Sequence, residues 1–231
     1  MINEYYYLNG YFVNEYINDL TGDNLLELTN HFINDPLKDG WSWEEKYKKT
    51  FDLKPNAYSY DTLLLDLIFD NKIPDVLMNA LGYHPLLVHL QVRHVLPGAN
   101  YMPWHRDVYK YNNSSKVGLM PNPHKLMIYP KTNASSATLS LVPGSHRRFF
   151  KHKFLDKLQI YFSSKGVIHN SNSSYTILDT SIIHNTIQEE NKRGSIRYIY
   201  VFGSEVHLKF FEEMSDLHKL YRKRLNDYLY N

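Results

Sequence analysis

The stretch LLVHLQVRHVLPGANYMPWHRD, residues 86–107, predicts the fold of the chain. Apolar and polar residues alternate through its first half, which is the two-residue repeat of a β-strand. Pro97-Gly98 predicts the turn that ends this strand. The second half carries His105 and Asp107, and residues two apart on a strand point to the same side. We therefore expect an imidazole and a carboxylate to face one common space.

Four more strand-like runs follow this stretch. They are KLMIY at 125–129, ATLSLV at 137–142, YTILDTSIIH at 175–184 and SIRYIYVF at 195–202. Turn-rich pieces, notably KTNASS and SSKGVIHNSNSS, separate them. Short strands punctuated by turns are typical of a β-sandwich or a β-barrel.

Helical patterns flank the strands. TGDNLLELTNHFIND, residues 21–35, places its apolar residues on one helical face. Residues 59–82 predict two short helices broken at Pro74 and stopped at Gly82. SDLHKLYRKRLNDYLY predicts a closing amphipathic helix opened by Ser215. We expect one domain, composed of a mostly helical part over 1–85, a β core over 86–205 and a C-terminal helix over 206–231.

Composition narrows the classes of function. The 231 residues are 43% hydrophobic, which is enough for a full core. The net charge of +2 demands neither nucleic acid nor an anionic membrane as partner. The absence of cysteine excludes disulfides and thiolate metal sites and fits a reducing compartment. No apolar run reaches the roughly 20 residues that span a bilayer, and the N-terminus lacks a signal-peptide pattern. We therefore expect a cytoplasmic protein without a membrane partner.

His184, in a later strand-like run, is a third candidate metal ligand beside His105 and Asp107. Two histidines and one carboxylate form the facial triad of non-haem Fe(II) oxygenases, which leaves coordination positions open for a co-substrate and O2. An ordinary alternative stays open. A chain with 12 histidines contains an H-x-D by chance about as often as not, and a histidine on a strand is more often packed than metal-bound.

Two further side chains suit a site around these ligands. Thr186 lies two positions after His184 and offers a hydroxyl on the same strand face. Arg197 shares a face of its strand with Ile199 and Val201, and an inward arginine is costly unless it meets an anion. A guanidinium grips a carboxylate through two parallel hydrogen bonds, which suits the distal carboxylate of 2-oxoglutarate. The alternative is a solvated Arg197 on an outer face.

The motifs PGANYMPWHRD, LSLVPGSHRRF, YTILDTSIIHNT and RGSIRYIYVF resemble those of the phytanoyl-CoA dioxygenase-like family, in the same order and approximate spacing. These proteins are Fe(II)- and 2-oxoglutarate-dependent oxygenases. The similarity runs from about Tyr11 to about Phe202, and the Pro-Gly-Ser-His turn is its most specific element. It implies a mainly β fold with flanking helices, a double-stranded β-helix (a cupin-like jelly-roll) that holds the metal at its mouth.

The resemblance also implies roles for individual residues. His105, Asp107 and His184 match the three iron ligands, Thr186 matches a small hydroxyl residue near the co-substrate, and Arg197 matches the arginine that binds its carboxylate. The family usually places this arginine about eleven residues beyond the distal histidine, which falls here on Ser195. An insertion in the loop QEENKRG would account for the shift to Arg197, and Arg193 in that loop stays an alternative.

We expect from this resemblance a dioxygenase that uses Fe(II), 2-oxoglutarate and O2, hydroxylates a small molecule, and releases succinate and CO2. The aspartate Asp107 argues against the related halogenases, which lack the carboxylate. Lys125 is a weaker candidate for contact with the co-substrate. Trp104, Arg147 and Arg148 are weaker candidates for contact with the substrate, and the two arginines suit an anionic one.

Two other functions stay open. An AlkB-like nucleic-acid dealkylase shares H-x-D…H, but such proteins tend to carry an arginine pair separated by five residues, whereas three separate Arg193 and Arg197. No basic stripe with base-stacking aromatics accompanies them, so we do not expect a nucleic-acid partner. The other possibility is a non-catalytic jelly-roll that serves as a binding module. The sequence does not predict the substrate or the oligomeric state.

Overall fold

The computed structural model describes most of the chain. The described residues are 2–14, 43–47, 49–53, 61–99, 102–107, 122–129, 137–148, 153–169, 174–188, 195–208 and 215–230. The predicted helix over 21–35 and the alternative carboxylate-binding residue Arg193 lie outside these ranges, and so do residues 108–121, between the H-x-D motif and the next strand.

The described parts of the chain contain six α-helices and eleven strands. The helices are α1 (Ile2–Asn9), α2 (Asp61–Asp70), α3 (Ile73–Leu81), α4 (Lys153–Phe162), α5 (Glu205–Leu208) and α6 (Ser215–Tyr230). The strands are β1 (Tyr11–Asn14), β2 (Trp43–Tyr47), β3 (Thr50–Leu53), β4 (Leu86–Val95), β5 (Met102–His105), β6 (His124–Tyr129), β7 (Ala137–Leu141), β8 (Gly166–His169), β9 (Ser174–Asp179), β10 (His184–Gln188) and β11 (Ser195–Gly203). A single 3-10 turn, Ser145–Arg147, lies between β7 and α4 in the described chain.

The strands form two antiparallel sheets. The larger has the order β1-β9-β6-β11-β4-β3-β2 and the smaller the order β5-β10-β7-β8. From β4 onwards the chain passes repeatedly between the two sheets, so strands far apart in sequence, such as β4 and β11, become neighbours. This arrangement is a double-stranded β-helix, or jelly-roll. The prediction of a mainly β fold with flanking helices is confirmed.

The large sheet packs against helices on one face and against the small sheet on the other. Along β11, Tyr198, Tyr200 and Phe202 point to one side and pack with apolar residues of α2, α3 and α6. Ile199 points to the other side and packs with residues of the small sheet and of its connections. Arg197 lies two residues before Ile199 and therefore points into the space between the sheets. The solvated outer position that the sequence left open for Arg197 is thereby excluded.

The helix break in residues 59–82 lies earlier than predicted. The two helices separate at Asn71 and Lys72, where Lys72 takes a left-handed φ of 53°. Pro74 instead lies in the first turn of α3, where the missing N–H costs no helical hydrogen bond. Gly82 ends α3 as predicted, with φ 81° and its N–H donating to the carbonyl of Met78.

The predicted strand YTILDTSIIH is two strands. β9 belongs to the large sheet and β10 to the small sheet, and a turn separates them. Asp179 stabilises this turn, because its Oδ1 accepts hydrogen bonds from the N–H and the hydroxyl of Ser181, at 2.8 and 2.5 Å. An aspartate in this position favours a turn over a continued strand.

Other elements were not predicted. The turn-rich piece SSKGVIHNSNSS contains β8, and the helix α4 precedes it. Within 1–85, three strands accompany the helices, and both β1 and β3 pair with strands of the core. Among the described residues, no helix is long and apolar enough to cross a bilayer.

Helix α1 closes one end of the large sheet through a buried polar pair. The hydroxyl of Tyr6 lies 2.8 Å from Nδ1 of His124, the first residue of β6. Burial lowers the pKa of His124 to about 4, against the opposing charge of Asp179 and with further lowering by His207 and His146. The neutral ring can therefore accept the hydrogen bond that Tyr6 donates.

Replacing His124 by Gln should reduce the acid sensitivity of the fold. Between pH 6.5 and about 4 the unfolded chain binds a proton at this histidine that the folded chain does not, so stability falls as the pH drops through that window. The wild type should lose about 2 kcal/mol more than H124Q between pH about 7 and about 5, measured by urea unfolding. Equal losses in the two proteins would contradict this assignment.

Candidate metal centre

Three donor atoms converge where β5 and β10 meet. Nε2 of His105 lies 3.4 Å from Oδ1 of Asp107, and Nε2 of His184 lies 3.5 Å from Oδ2 of the same carboxylate. The two imidazole rings are 4.3 Å apart between centroids. The ligand atoms of all three residues lie within 4.8 Å of one another. The structure thus brings together the three residues that the sequence singled out.

Strand pairing sets this convergence. β10 pairs with β5 on one side and with β7 on the other, and His184 lies opposite His105 in the β5 register. Asp107 does not continue the strand as predicted, since β5 ends at His105 and Asp107 lies in a bend. Its N–H donates to the carbonyl of Thr180 at 2.8 Å. This backbone hydrogen bond, rather than strand alternation, holds the carboxylate beside the imidazoles.

The backbone also orients both imidazole rings. Nδ1 of His105 lies 2.7 Å from the carbonyl of Pro103, and Nδ1 of His184 lies 3.0 Å from the carbonyl of Ile182. A carbonyl only accepts, so each Nδ1 carries the proton and donates. Each Nε2 is then left with a lone pair on the side of Asp107. This is the tautomer of a histidine that binds a metal through Nε2.

Neighbouring charges keep the Asp107 carboxylate ionised, and burial keeps the His184 imidazole neutral. Burial would raise the pKa of Asp107, but Lys125, His184 and His105 outweigh it and hold this pKa well below its usual value. Burial lowers the pKa of His184 to about 4, although Asp107 opposes the shift. Near neutral pH, therefore, the carboxylate and the His184 imidazole are both in the form that a cation requires.

The donor set fits a divalent transition-metal ion. Donors that share one ion at roughly 2.1 Å each lie about 3 Å apart when they are adjacent in an octahedron, close to the 3.4 and 3.5 Å seen between the carboxylate and the two rings. Two imidazoles and one carboxylate on one side of an ion leave the other side open. The ammonium of Lys125 contacts Oδ2 of Asp107 and supplies positive charge at this carboxylate.

The residues proposed for the co-substrate lie in the same roll. Lys125 is in β6 and faces the space between the sheets, like Met127 two residues later. Thr186 is buried on β10, two residues beyond His184. Arg197 is 1% exposed, and its guanidinium carbon lies 5.8 Å from the ring centroid of Tyr129.

A second arginine faces Arg197 across the β4–β11 ladder. Arg93 is its partner in the register, and Asp52 on β3 accepts hydrogen bonds from Nε and Nη2 of Arg93 at 2.7 and 2.9 Å. Asp52 also accepts from the amide of Gln91. Like charges opposite each other on neighbouring strands repel, so the carboxylate of Asp52 offsets the approach of two guanidinium groups. The sequence did not single out this cluster.

None of the proposed substrate residues belongs to the cluster formed by the three candidate ligands. Trp104 precedes His105 on β5 and points to the other face of the strand, where it lines a groove beside α4 of about 510 Å³. The groove lining includes none of the three candidate ligands. Arg147 is exposed, with its guanidinium carbon 5.7 Å from the ring centroid of Tyr7. Arg148 is exposed as well.

Arg106, between the two ligands of the H-x-D motif, is a residue that sequence reasoning missed. Its side chain is 3% exposed. Nε and Nη2 donate to the carboxylate of Asp156 on α4 at 3.0 and 2.8 Å. Nη1 donates to the carbonyls of Ser145 and Ser181, and Nη2 also to that of Arg148 at 3.2 Å.

This one guanidinium therefore connects the segments on which the centre depends. It joins the H-x-D bend to the Pro-Gly-Ser-His turn, to α4, and to the turn that ends just before His184. Ser145 strengthens the same junction, because its hydroxyl accepts from the N–H of Ile183 at 2.8 Å. The Pro-Gly-Ser-His turn is the most specific element of the family resemblance. Through Ser145 it is hydrogen-bonded both to the segment of His105 and Asp107 and to the segment of His184.

Comparison with known proteins finds similarity at the level of the fold alone. No protein-family model matches the chain, and no curated protein matches its sequence. The α-ketoglutarate-dependent non-haem epimerase SnoN from nogalamycin biosynthesis superposes with a TM-score of 0.66 at 12% identity, over 88% of this chain and 79% of SnoN. EctD from S. alaskensis, crystallised with 2-oxoglutarate and 5-hydroxyectoine, superposes with a TM-score of 0.63 at 16% sequence identity. The match covers 88% of this chain and 75% of EctD.

AviO1 from Streptomyces viridochromogenes gives a TM-score of 0.60 at 14% identity, over 87% of this chain and 93% of AviO1. The likeness establishes the jelly-roll fold. At such identities it shows the fold alone, and the finer resemblance to the phytanoyl-CoA dioxygenase-like family stays a prediction from the motifs.

Removing the Arg106 side chain should weaken metal binding without removing a ligand. We expect Arg106→Gln to lower the affinity for Co(II) about 10- to 100-fold, the usual effect of losing a residue that orients metal ligands. Asp156→Asn, which keeps the hydrogen bonds of Arg106 to the carbonyls, should give a smaller loss. Anaerobic titration followed by the visible absorption of Co(II) measures both.

Arg222→Gln is the matched control, because Arg222 pairs with Glu205 on the surface and lies outside the centre. Circular dichroism would confirm that each variant is folded. An unchanged Co(II) affinity in folded Arg106→Gln would show that the guanidinium does not position the ligands.

Proposed function

We propose that the protein is an Fe(II)- and 2-oxoglutarate-dependent dioxygenase that oxidises a small molecule, most simply by hydroxylation, and releases succinate and CO2. The observation that carries the proposal is the convergence of Nε2 of His105, Nε2 of His184 and the carboxylate of Asp107 inside a jelly-roll. The motifs support membership in the phytanoyl-CoA dioxygenase-like family, and the solved structures of similar fold include several α-ketoglutarate-dependent enzymes.

Each residue of the centre has a definite task in this proposal. The three ligands hold iron on one side, and the iron, when bound, supplies the activation of O2 at the expense of 2-oxoglutarate. Nδ1 of each histidine donates to the backbone carbonyl two residues earlier in the chain, which keeps both rings aimed at Asp107. The buried walls of the roll exclude water, which limits side reactions of a strong oxidant.

The co-substrate needs two cationic partners, and the roll offers them. We assign the distal carboxylate of 2-oxoglutarate to Arg197, with the hydroxyl of Thr186 as a second donor. We assign Lys125 to the carboxylate next to the keto group. Lys125 pairs with Asp107 in the structure, and a cation on Asp107 would take over that neutralisation and leave the ammonium for the co-substrate.

The substrate is a small molecule in this proposal. SnoN has been crystallised with nogalamycin RO and EctD with 5-hydroxyectoine. Exposed Arg147 and Arg148 give the surface next to the Pro-Gly-Ser-His turn a positive charge that suits an anionic substrate. Only three residues separate Arg193 and Arg197, which argues against a nucleic-acid dealkylase of the AlkB kind. The absence of cysteine supports a cytoplasmic location.

A non-catalytic jelly-roll is the second candidate, and the Lys125–Asp107 ion pair favours it. In such a module the ammonium would permanently replace a metal ion at the carboxylate. The two functions differ in one property that is simple to measure, which is binding of Fe(II) in competition with Lys125.

Loading the protein with Fe(II) and 2-oxoglutarate under anaerobic conditions should give the weak visible band of their chelate, and O2 should then yield succinate even without substrate. Asp107→Ala and His184→Ala should abolish both signals, because two donors hold iron poorly. Absorption spectroscopy and succinate quantification measure them. Failure of the wild type to give either signal would favour the non-catalytic module.

Arg197→Gln should weaken 2-oxoglutarate binding at least about 30-fold, since a buried charge-assisted pair loses one partner. Calorimetric titration of the Mn(II)-loaded protein measures this affinity without turnover. Arg193→Gln is the matched variant and should bind normally. Normal binding by Arg197→Gln together with weakened binding by Arg193→Gln would show that Arg193 binds the distal carboxylate of 2-oxoglutarate.

A further inference from the structure

We propose that the outward face of α4 docks the protein onto a membrane surface that contains anionic lipids. This face, called the α4 face, consists of Phe154, Lys157, Leu158, Tyr161 and Phe162. The apolar members are unusually exposed, with Tyr161 at 80%, Phe162 at 77% and Phe154 at 65%. Large aromatic side chains in contiguous exposed positions mark an interaction surface. The proposal does not depend on the dioxygenase activity.

Helical geometry places these residues on one side of α4. Phe154, Leu158, Tyr161 and Phe162 follow the spacing i, i+4, i+7 and i+8, which is one face of a helix. The opposite side is fixed to the protein through Asp156, whose carboxylate accepts from Arg106. Gln159, also on that side, donates to the carbonyl of Arg148 at 2.9 Å. The orientation of α4 is therefore held by hydrogen bonds, and its apolar face points outward.

The charge of this segment is opposite to that of the rest of the chain. Residues 147–165 contain six Lys or Arg residues and one acidic residue, so they carry five net positive charges. The whole chain carries +2, which leaves −3 for all other residues. The one acid, Asp156, is engaged by Arg106. Among the described side chains, Lys157 on the α4 face and Lys165 next to it place positive charge beside the aromatic rings.

A groove next to the α4 face adds a second feature suited to lipid. Its lining combines Trp104 of β5 with Ile160, Tyr161, Lys157 and Lys165, and its volume is about 510 Å³. Nζ of Lys165 lies 5.9 Å from the ring centroid of Trp104. Ammonium groups beside aromatic rings suit an anionic headgroup at the boundary between water and acyl chains.

The shape and charge favour a membrane over other partners. Projecting rings enter a fluid interface without a matching pocket, whereas a protein partner would have to provide one. Two copies of this chain joined at the α4 face would bring the lysines of both faces together. A single-stranded nucleic acid stacks its bases on aromatic rings, but it offers no apolar medium for the aliphatic side chain of Leu158. The expected absence of a membrane partner was based on the net charge of +2 and on the lack of a spanning segment. A helix lying in the interface needs no spanning segment, and a local cluster of positive charge can bind anionic lipids whatever the net charge of the chain.

Vesicle co-sedimentation tests the proposal. The full-length protein should bind vesicles of equal parts phosphatidylcholine and phosphatidylglycerol at low salt, bind pure phosphatidylcholine weakly, and dissociate at about 0.5 M salt. Lys157→Gln with Lys165→Gln should weaken binding about 30-fold. Tyr161→Ser with Phe162→Ser should weaken it at least about tenfold.

Matched controls come from α6, where Tyr230 is 87% exposed and the Lys219 side chain 78% exposed. Tyr230→Ser and Lys219→Gln should bind like the wild type. Three results would overturn the proposal: no binding to anionic vesicles at low salt, equal binding to neutral vesicles, or equal losses in the controls. A fourth contradicting result could come from light scattering, which measures the oligomeric state. A wild-type dimer that Tyr161→Ser with Phe162→Ser converts to monomer would assign the α4 face to a second copy of the chain.

Discussion

The antiparallel pairing of β5 with β10 is the constraint on which the candidate centre depends. It places His184 opposite His105, although 78 residues of chain separate them. A backbone carbonyl two residues earlier accepts a hydrogen bond from Nδ1 of each histidine and orients its ring. The backbone therefore also selects the tautomer with the proton on Nδ1. Only Asp107 lies beyond the ladder, and its N–H is held by Thr180. The positions of the three side chains are therefore determined mainly by the backbone at the edge of the small sheet.

Arg106 extends this constraint into the surrounding structure. A buried guanidinium is costly unless its donors are satisfied, and here Asp156 and three backbone carbonyls satisfy them. The same interaction fixes one side of α4 and so determines that its aromatic side faces outward. The ligand segments and the proposed membrane-docking helix are thus held by one side chain.

Much of the fold could be predicted from the sequence, because period-two alternation and turn residues are local signals. The bounds of β4, β6, β11 and α6 agree with prediction to within a residue or two. The division of YTILDTSIIH into β9 and β10 was missed because both halves are buried and alternation alone does not show a change of sheet. The three candidate ligands were singled out from spacing and family motifs, and the structure brings them together. Arg106 was not singled out, since its importance comes from acceptors far away in sequence, including Ser181 and Asp156.

A crystal soaked with Mn(II) and 2-oxoglutarate under anaerobic conditions would show whether His105, Asp107 and His184 hold a metal ion together. We expect an anomalous peak bonded to Nε2 of His105, Nε2 of His184 and the carboxylate of Asp107. Lys125 should leave Asp107 for one carboxylate of 2-oxoglutarate, and Arg197 should bind the other. Manganese bound elsewhere, with the Lys125–Asp107 pair intact, would show that these three residues do not form the metal centre.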